Sequence, residues 1–471
     1  MSWSEPLTRA LPLLYALEER GFETVFVGGC VRDTLLGKPL KDVDIATAAS
    51  PEQVMAIFPH TIPTGLQHGT VTVVAEGETY ELTTFRTESA YEQHRRPTEV
   101  QFVNSLEADL LRRDFTINSM ALRSDGTLVD PFGGLQDLRN GILRCVGDPD
   151  ARLQEDALRL VRAIRFAAAY DLRIAHRTWR AIKRHNHLLV HIAMERIGLE
   201  FDKMIAVSDP QRAAAWLAAS GMLSFTKEAL PEAMTAAVDA YMQARMERAS
   251  ASLPENIHEA YVRRPGWPMA AMMQQLGKVG EPEDRWAALC AALSMDTALA
   301  SEMFAALKYA TLRSIRLVGV LEIHIAMKQA LLGMCDDEQI DPHTRSTWRQ
   351  EMHREWISLI LRHGKPAAKC WIQLIRNIPM LAEPSAEDCP IEQLPKLLDM
   401  LQQSLDKLPA ASLKELAVKG KDILGLQVKP SGPWLGILLA ELLLETALGE
   451  LPNEKEHLLS EVAKRLAAIT G

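Results

Sequence analysis

The sequence predicts an α+β fold: a mixed α/β head in the first third, followed by an all-helical remainder. Short β-rich runs alternate with helical patterns as far as about residue 150. From Ala151 onward strand signals nearly vanish, and Leu, Ala and charged residues recur at helical spacing. With 471 residues, 47% of them hydrophobic, the chain can bury several cores, so roughly two to four domains are expected.

The elements of the head follow in order. Glu5 to Arg20 reads as a helix with Ser4 as its cap and Gly21 ending it. Thr24 to Val27 is a short strand. Gly28-Gly29 opens a helix that ends near Gly37. Val43 to Ala46 is the next strand, and Ser50-Pro51 caps and starts another helix. Val71 to Ala75 and Thr79 to Phe85 form a hairpin across Glu76-Gly77-Glu78. Glu88 to Glu99, with Tyr91, Arg95, Arg96 and Pro97, reads as a mobile loop between firm elements. In the helical part, Leu253-Pro254 and Arg264-Pro265 break the pattern.

Charged residues make up 24%, and the net charge is −9. That balance excludes a protein that coats nucleic acid indiscriminately, but the charge is uneven. Basic residues outnumber acidic ones from Arg139 to Arg184, whereas Glu383 to Glu392 is acidic. A basic stripe on an acidic chain suits one confined, phosphate-rich ligand. The most apolar run, Trp434 to Leu448, is short and carries Glu441 and Glu445, so no membrane partner is expected. The N-terminus lacks the basic start and apolar stretch of a secretory leader. Six cysteines are scattered without a CxxC pair, which predicts reduced thiols in the cytoplasm rather than a disulfide framework or a thiolate zinc site.

Asp42 and Asp44 are two apart, so on a strand they share a face. Alone, the pair reads first as a solvated acidic turn after Lys41. Two hard oxygen ligands side by side are also what Mg²⁺ takes when it bridges substrate phosphates. The neighbourhood favours the second reading: Gly28-Gly29 lets a backbone approach closely at a helix N-terminus, and Arg32 on the first turn reaches the same anion. Glu81 is either a third carboxylate near the metals or a surface strand residue. Arg113, in RRDFTINSM, either pairs a buried aspartate or reaches a bound nucleotide. In EDALRLVRAIRF, Asp156 and Arg159 are three apart and share a helix face, with Arg162 and Arg165 continuing the stripe. Such a stripe is commonly a solvated, salt-bridged face. Beside one acid it also suits an Asp–Arg pair with further arginines placed for phosphates.

Taken together, GGCVRDTLLGKPLKDVDIAT, YELTTFRT, RRDFTINSMAL, DPFGGLQDLRNGILRCVG and EDALRLVRAIRFAA resemble the successive motifs of the class II tRNA nucleotidyltransferase and poly(A) polymerase family. The resemblance spans roughly the first 205 residues, and agreement of several independent motifs makes it specific. KPSGPWLGILL, from Lys429, resembles the tail of CCA-adding members of the Gram-positive bacterial type. Ser119 and Cys30 stand where the family usually has alanine; neither falls on a proposed ligand.

The resemblance implies a seahorse-shaped fold: a nucleotidyltransferase head with a small mixed β-sheet (1–150), a helical neck with the base-reading helix (151–210), a helical body (211–380) and a helical tail (381–471), the last two binding tRNA. It implies two Mg²⁺ ions on Asp42 and Asp44; Glu81 stays a candidate catalytic carboxylate from its strand position alone. Gly29 and Arg32 would hold the triphosphate and Arg113 the nucleotide. Asp156 and Arg159 would read the base, with Arg162 and Arg165 supporting the nucleotide. The implied reaction is template-independent addition of CCA to the 3′ end of tRNA from CTP and ATP, releasing pyrophosphate. Basic residues after Arg165, such as Arg173, Arg177, Arg180, Lys183 and Arg184, would meet the phosphates of the acceptor arm. The alternatives are a bacterial poly(A) polymerase, disfavoured because this acidic chain carries no basic extension, a partial CC- or A-adding enzyme, and a non-catalytic RNA-binding protein that kept the fold. No His-Asp dipeptide occurs, so the phosphohydrolase domain of some relatives is not expected. The oligomeric state stays open, a homodimer included.

Overall fold

The computed structural model describes residues 3–92, 96–235, 275–335, 342–382, 394–426 and 431–470. The chain divides into two compact units, Met1–Leu230 and Pro231–Gly471. The first holds every described strand.

Helix α1 (Glu5–Glu18) precedes strand β1 (Thr24–Val27), all four of whose residues are buried. Ser4 occupies the N-cap position, but its side chain makes no capping bond, contrary to expectation. Helix α2 (Gly29–Leu35) follows at once, then β2 (Asp44–Thr47) and α3 (Pro51–Ile57). Here Ser50 does cap: its hydroxyl accepts from Gln53 N, and the Gln53 side chain accepts from Ser50 N in return. Strands β3 (Thr61–Gly65), β4 (Thr70–Ala75) and β5 (Glu78–Thr84) come next. The β4–β5 hairpin turns through Glu76 and Gly77, both at positive φ (52° and 81°), the primed turn that matches strand twist.

The expected loop at 88–99 is instead largely a hairpin. Strands β6 (Arg86–Glu92) and β7 (Arg96–Phe102) pair antiparallel from Arg86↔Phe102 to Glu92↔Arg96. Its polarity suggested a loop, but two adjacent segments satisfy each other's backbone groups whatever their side chains. Residues 93–95, with Arg95, lie outside the described residues. Helix α4 (Leu106–Leu111), strands β8 (Ala121–Leu122) and β9 (Leu128–Val129), helix α5 (Gly134–Arg139) and strand β10 (Ile142–Leu143) complete the head.

The main sheet runs β3-β4-β5-β2-β1-β8-β9. Only its β2–β5 pair is parallel, so the sheet is mixed as expected. That pair sets Asp44 beside Glu81 in register. Below it, Val25, Val27, Ala46, Phe85, Leu106, Leu110 and Ala121 form a buried core that fixes β1 and β2 against α4.

Helices α6 (Pro149–Glu155) and α7 (Leu158–Ala169) follow. The single helix expected through EDALRLVRAIRF is therefore broken at Asp156, whose φ/ψ of −132°/104° is extended. The Asp156 carboxylate accepts from Leu158 N at 3.1 Å, a short polar side chain competing with the helical ladder for a backbone donor. Strand β11 (Arg173–Ile174), parallel to β10, and helices α8 (His176–His185), α9 (Met194–Ile205) and α10 (Pro210–Ser220) follow, with α9 and α10 packed on α7.

In the second unit every described element is helical, as expected. Trp356 and Trp371, both fully buried, meet at 5.5 Å between ring centroids. The C-terminal helices Pro433–Leu448 and Lys455–Thr470 close over Leu416, Val418 and Ile423. The breaks at Leu253-Pro254 and Arg264-Pro265 and the acidic stretch at 383–392 lie outside the described residues. No helix among the described residues is long and apolar enough to cross a membrane.

Candidate active site

The turn from β1 into α2 starts the site. Gly28 has φ/ψ of 72°/−129°, a conformation that costs an L residue strain. It also leaves no room: a Cβ there would lie 3.2 Å from Arg113 Nη1 and 3.5 Å from Asp44 Oδ2. The glycine thus lets β1 end directly under an arginine and a carboxylate.

Asp42 and Asp44 both line a cavity of about 730 Å³ that opens over this turn. Burial pushes the Asp44 carboxyl above its usual range; Arg113 and Arg32 oppose the rise, while Glu81 and Asp42 add to it. Its carboxylate accepts no hydrogen bond among the described residues. A half-buried carboxylate crowded by two others and lacking donors fits a cation completed by substrate phosphates and water. No group of three His, Cys, Asp or Glu among the described residues could hold a metal ion unaided. Glu81 stands beside Asp44 but lines a second cavity of about 500 Å³, which shares Asp42 and Asp44 with the first.

The remaining expected residues, Gly29, Arg32, Arg113, Asp156, Arg159, Arg162 and Arg165, all line the first cavity. Arg32 is buried and donates to Asp33, to Asn118 Oδ1 at 2.5 Å and to the Tyr170 hydroxyl, with its guanidinium 4.2 Å from the Tyr170 ring centre. Arg113 donates to Asp109 Oδ2 at 3.1 Å, and Arg112 to Asp109 Oδ1 at 2.7 Å. Burial would raise the Asp109 carboxyl; these two arginines reverse the effect and lower it. Arg113 Nε is buried and has no hydrogen-bond partner among the described residues. Arg162 donates to Asp114 Oδ2 at 2.6 Å. Asp114, buried as well, is held down at about 2 by Arg162 and Asn118 against the cost of its burial. Arg165 lies 3.9 Å from the Phe166 ring centre and 2.5 Å from Glu200 Oε2. Burial lowers its pKa despite Glu200.

Asp156 and Arg159 reach the same cavity but take other partners than the expected pairing. Asp156 Oδ2 accepts from Arg196 Nη2 at 3.1 Å. Arg159 is buried and donates to Glu155 Oε2 at 2.6 Å, to the Arg152 carbonyl at 2.9 Å and to the Arg112 carbonyl at 2.8 Å. The helix break explains the change, because it removes the shared helical face.

The cavity also takes residues to which the sequence gave no place in the site: His68, Arg86, Arg112, Asp114, Asn118, Phe166, Arg196 and Lys203. Asp114 and Asn118 lay within a motif already quoted, at i and i+4. Arg196 and Lys203 carried only the i, i+7 spacing of an amphipathic helix, which does not say what the helix faces. In all, eight arginines and one lysine line the cavity against four aspartates. That excess suits a polyanionic ligand of nucleoside-triphosphate size.

Residues 24–144 match the Poly A polymerase head domain family, 171–234 the family described as "Probable RNA and SrmB- binding site of polymerase A", and 384–462 a tRNA nucleotidyltransferase domain 2 family. The chain is 35% identical over 460 residues to the CCA-adding enzyme of Geobacillus thermodenitrificans, covering 98% of this chain and 97% of that one. It is 37% identical over 456 residues to a Geobacillus sp. CCA-adding enzyme, covering 96% of each. Among solved structures it resembles the Bacillus stearothermophilus CCA-adding enzyme in complex with CTP, at 31% identity and a TM-score of 0.72 over 99% of both chains.

Proposed function

The chain belongs to the family of CCA-adding enzymes, and from that premise we propose that it extends the 3′ end of tRNA with CTP and ATP, template-independently, releasing pyrophosphate. The observation that carries the reading is the meeting of the Asp42–Asp44 pair with a cationic wall in one cavity that also holds Asp156 and Arg159.

The nucleotidyltransferase family implies dependence on a divalent metal; the hard oxygen donors Asp42 and Asp44 favour Mg²⁺ here. Two such ions would neutralise charge at the attacking hydroxyl and at the leaving oxygens. The protein's own work is positioning. Gly28 and Gly29 admit the triphosphate close to the backbone, and Arg32 and Arg113 balance its charge. Glu81 adds negative charge beside Asp44. Arg162 and Arg165 support the nucleotide from α7.

Base choice follows from pairing-edge chemistry. Cytosine and adenine each present an amino donor beside a ring-nitrogen acceptor, whereas uracil and guanine reverse the order. A carboxylate at Asp156 accepts from the amino group, and Arg159 donates to the ring nitrogen. Glu155 and two backbone carbonyls accept three hydrogen bonds from the two terminal nitrogens of Arg159, which suits a rigid reader.

The head (1–150) then supplies chemistry, the neck (151–210) base choice, and the helical body (211–380) and tail (381–471) the grip on tRNA. On the neck surface Arg173, Arg177, Arg180, Lys183 and Arg184 are all exposed, although Arg184 is paired with Asp150. The buried free thiols Cys30, Cys145, Cys290 and Cys370 suit the cytoplasm.

The test is to incubate tRNA lacking CCA with each nucleotide and size the products. CTP alone should add two residues, CTP with ATP three, and UTP or GTP none. Long tails from ATP would indicate a poly(A) polymerase. Products stopping at CC, or A added only to tRNA ending in CC, would indicate a partial enzyme. No product at all would leave an RNA-binding protein.

A further inference from the structure

We propose that Arg196 is a specificity-determining positioning residue: it orients the Asp156 carboxylate, and through it sets the choice of incoming base. The inference rests on the reading of Asp156 as acceptor for the base's amino group.

The two oxygens of that carboxylate are held from different parts of the fold. Oδ1 accepts from Leu158 N at 3.1 Å, a local bond. Oδ2 accepts from Arg196 Nη2 at 3.1 Å, across from α9. The local bond alone leaves the group free to turn, because the terminal torsion of an aspartate is broad. Asp156 also sits in an extended break between helices, outside any helical ladder. A second anchor on the other oxygen fixes the plane of the carboxylate, and the plane determines where an amino donor is received.

Arg196 projects from a firm support. On α9, Ile197, Phe201 and Met204 are buried, and the helix packs on α7. One turn along, Glu200 is 3% exposed and faces Arg165 at 2.5 Å. Arg196 and the base need not compete, since each carboxylate oxygen has two lone pairs. Arg196 can hold Oδ2 while the amino group approaches a remaining acceptor site. The competing role is a generic one, a further cation for the triphosphate in a cavity already rich in them.

The experiment measures kcat and KM for CTP, ATP, UTP and GTP on tRNA lacking CCA, with thermal melts alongside. The variants are Arg196→Met, Arg196→Lys, Asp156→Ala and the Asp156→Ala/Arg196→Met double variant. Arg196→Met should lower the CTP-to-UTP and ATP-to-GTP ratios of kcat/KM by about tenfold, within the range of a well-placed bidentate contact. Arg196→Lys keeps a donor and should restore most of the loss; it also carries the test if the methionine variant melts early. The double variant should discriminate no worse than Asp156→Ala alone. The proposal is overturned if Arg196→Met raises KM for all four nucleotides alike at parent ratios, or if the double variant loses more than Asp156→Ala. Parent ratios in Asp156→Ala would overturn the base-reading role of Asp156 itself, and that of Arg196 with it.

Discussion

Gly28→Ala isolates the geometry at the head of the site, because it adds one methyl group and no charge. The backbone there, at φ 72° and ψ −129°, costs a non-glycine residue ~1–3 kcal/mol. The new Cβ would stand 3.2 Å from Arg113 Nη1, tighter than ordinary packing, so Arg113 must yield by a few tenths of an ångström. Its contact with Asp44 Oδ2, at 3.5 Å, is ordinary. Arg113 is tied to buried Asp109 and so cannot swing away freely. For a unit of this size each kcal/mol moves Tm by ~2–4 °C, so the melt should fall by ~2–12 °C. The methyl also intrudes where a phosphate would approach the turn, and turnover should fall, by up to about 100-fold if the phosphate is pushed aside by about 1 Å. The assay is single-turnover incorporation of CMP with excess enzyme, together with a thermal melt. A variant with parent Tm and parent turnover would refute the claim that Gly28 is required by both backbone and cavity.

Three further outcomes are expected. Asp42→Asn or Asp44→Asn should nearly abolish incorporation in Mg²⁺ while filter-binding of tRNA persists; near-normal turnover in either removes the metal assignment. Asp114 is held at about 2, below its ordinary 3.8, so its contribution is complete above about pH 4 and disappears as pH falls through 2. It amounts to on the order of 2 kcal/mol, and urea midpoints measured from pH 5 to pH 2 should show a step of that size that Asp114→Asn lacks; identical profiles would contradict it. Replacing exposed Arg173, Arg177 and Arg180 by alanine should weaken tRNA binding and flatten its salt dependence, each lost phosphate contact taking about 0.7–0.9 from the log–log slope; an unchanged slope would show that this face does not meet RNA.

Much of the head was legible in sequence because its signals are local. Strand β1 fell at Thr24–Val27 as read, since four consecutive β-formers end at a glycine pair. Helix α3 began at Ser50-Pro51 because cap chemistry is settled within three residues. The β4–β5 turn followed from Glu76-Gly77. Asp42 and Asp44 were found by spacing together with the Gly28-Gly29 turn and Arg32, and Asp156 and Arg159 by their own spacing. The motif resemblance gave Arg113, Asp156 and Arg159 their roles; all of them line one cavity.

Where residues compete for partners, the tertiary structure decided. RRDFTINSM left open whether Arg113 pairs a buried aspartate or reaches a nucleotide, and named no partner. Arg112 and Arg113 turn back to Asp109, and Asp114 goes to Arg162, because the buried carboxylates bind whichever guanidinium the packing of α4 and α7 delivers. Asp156 was read onto a continuous helix, yet it breaks that helix by bonding Leu158 N and then takes Arg196 from forty residues away. Helical periodicity shows that α9 has a buried face, but not which helix it meets. The pairing of Asp156 with Arg196 exists only because α9 packs on α7, a long-range contact with no local sequence signature.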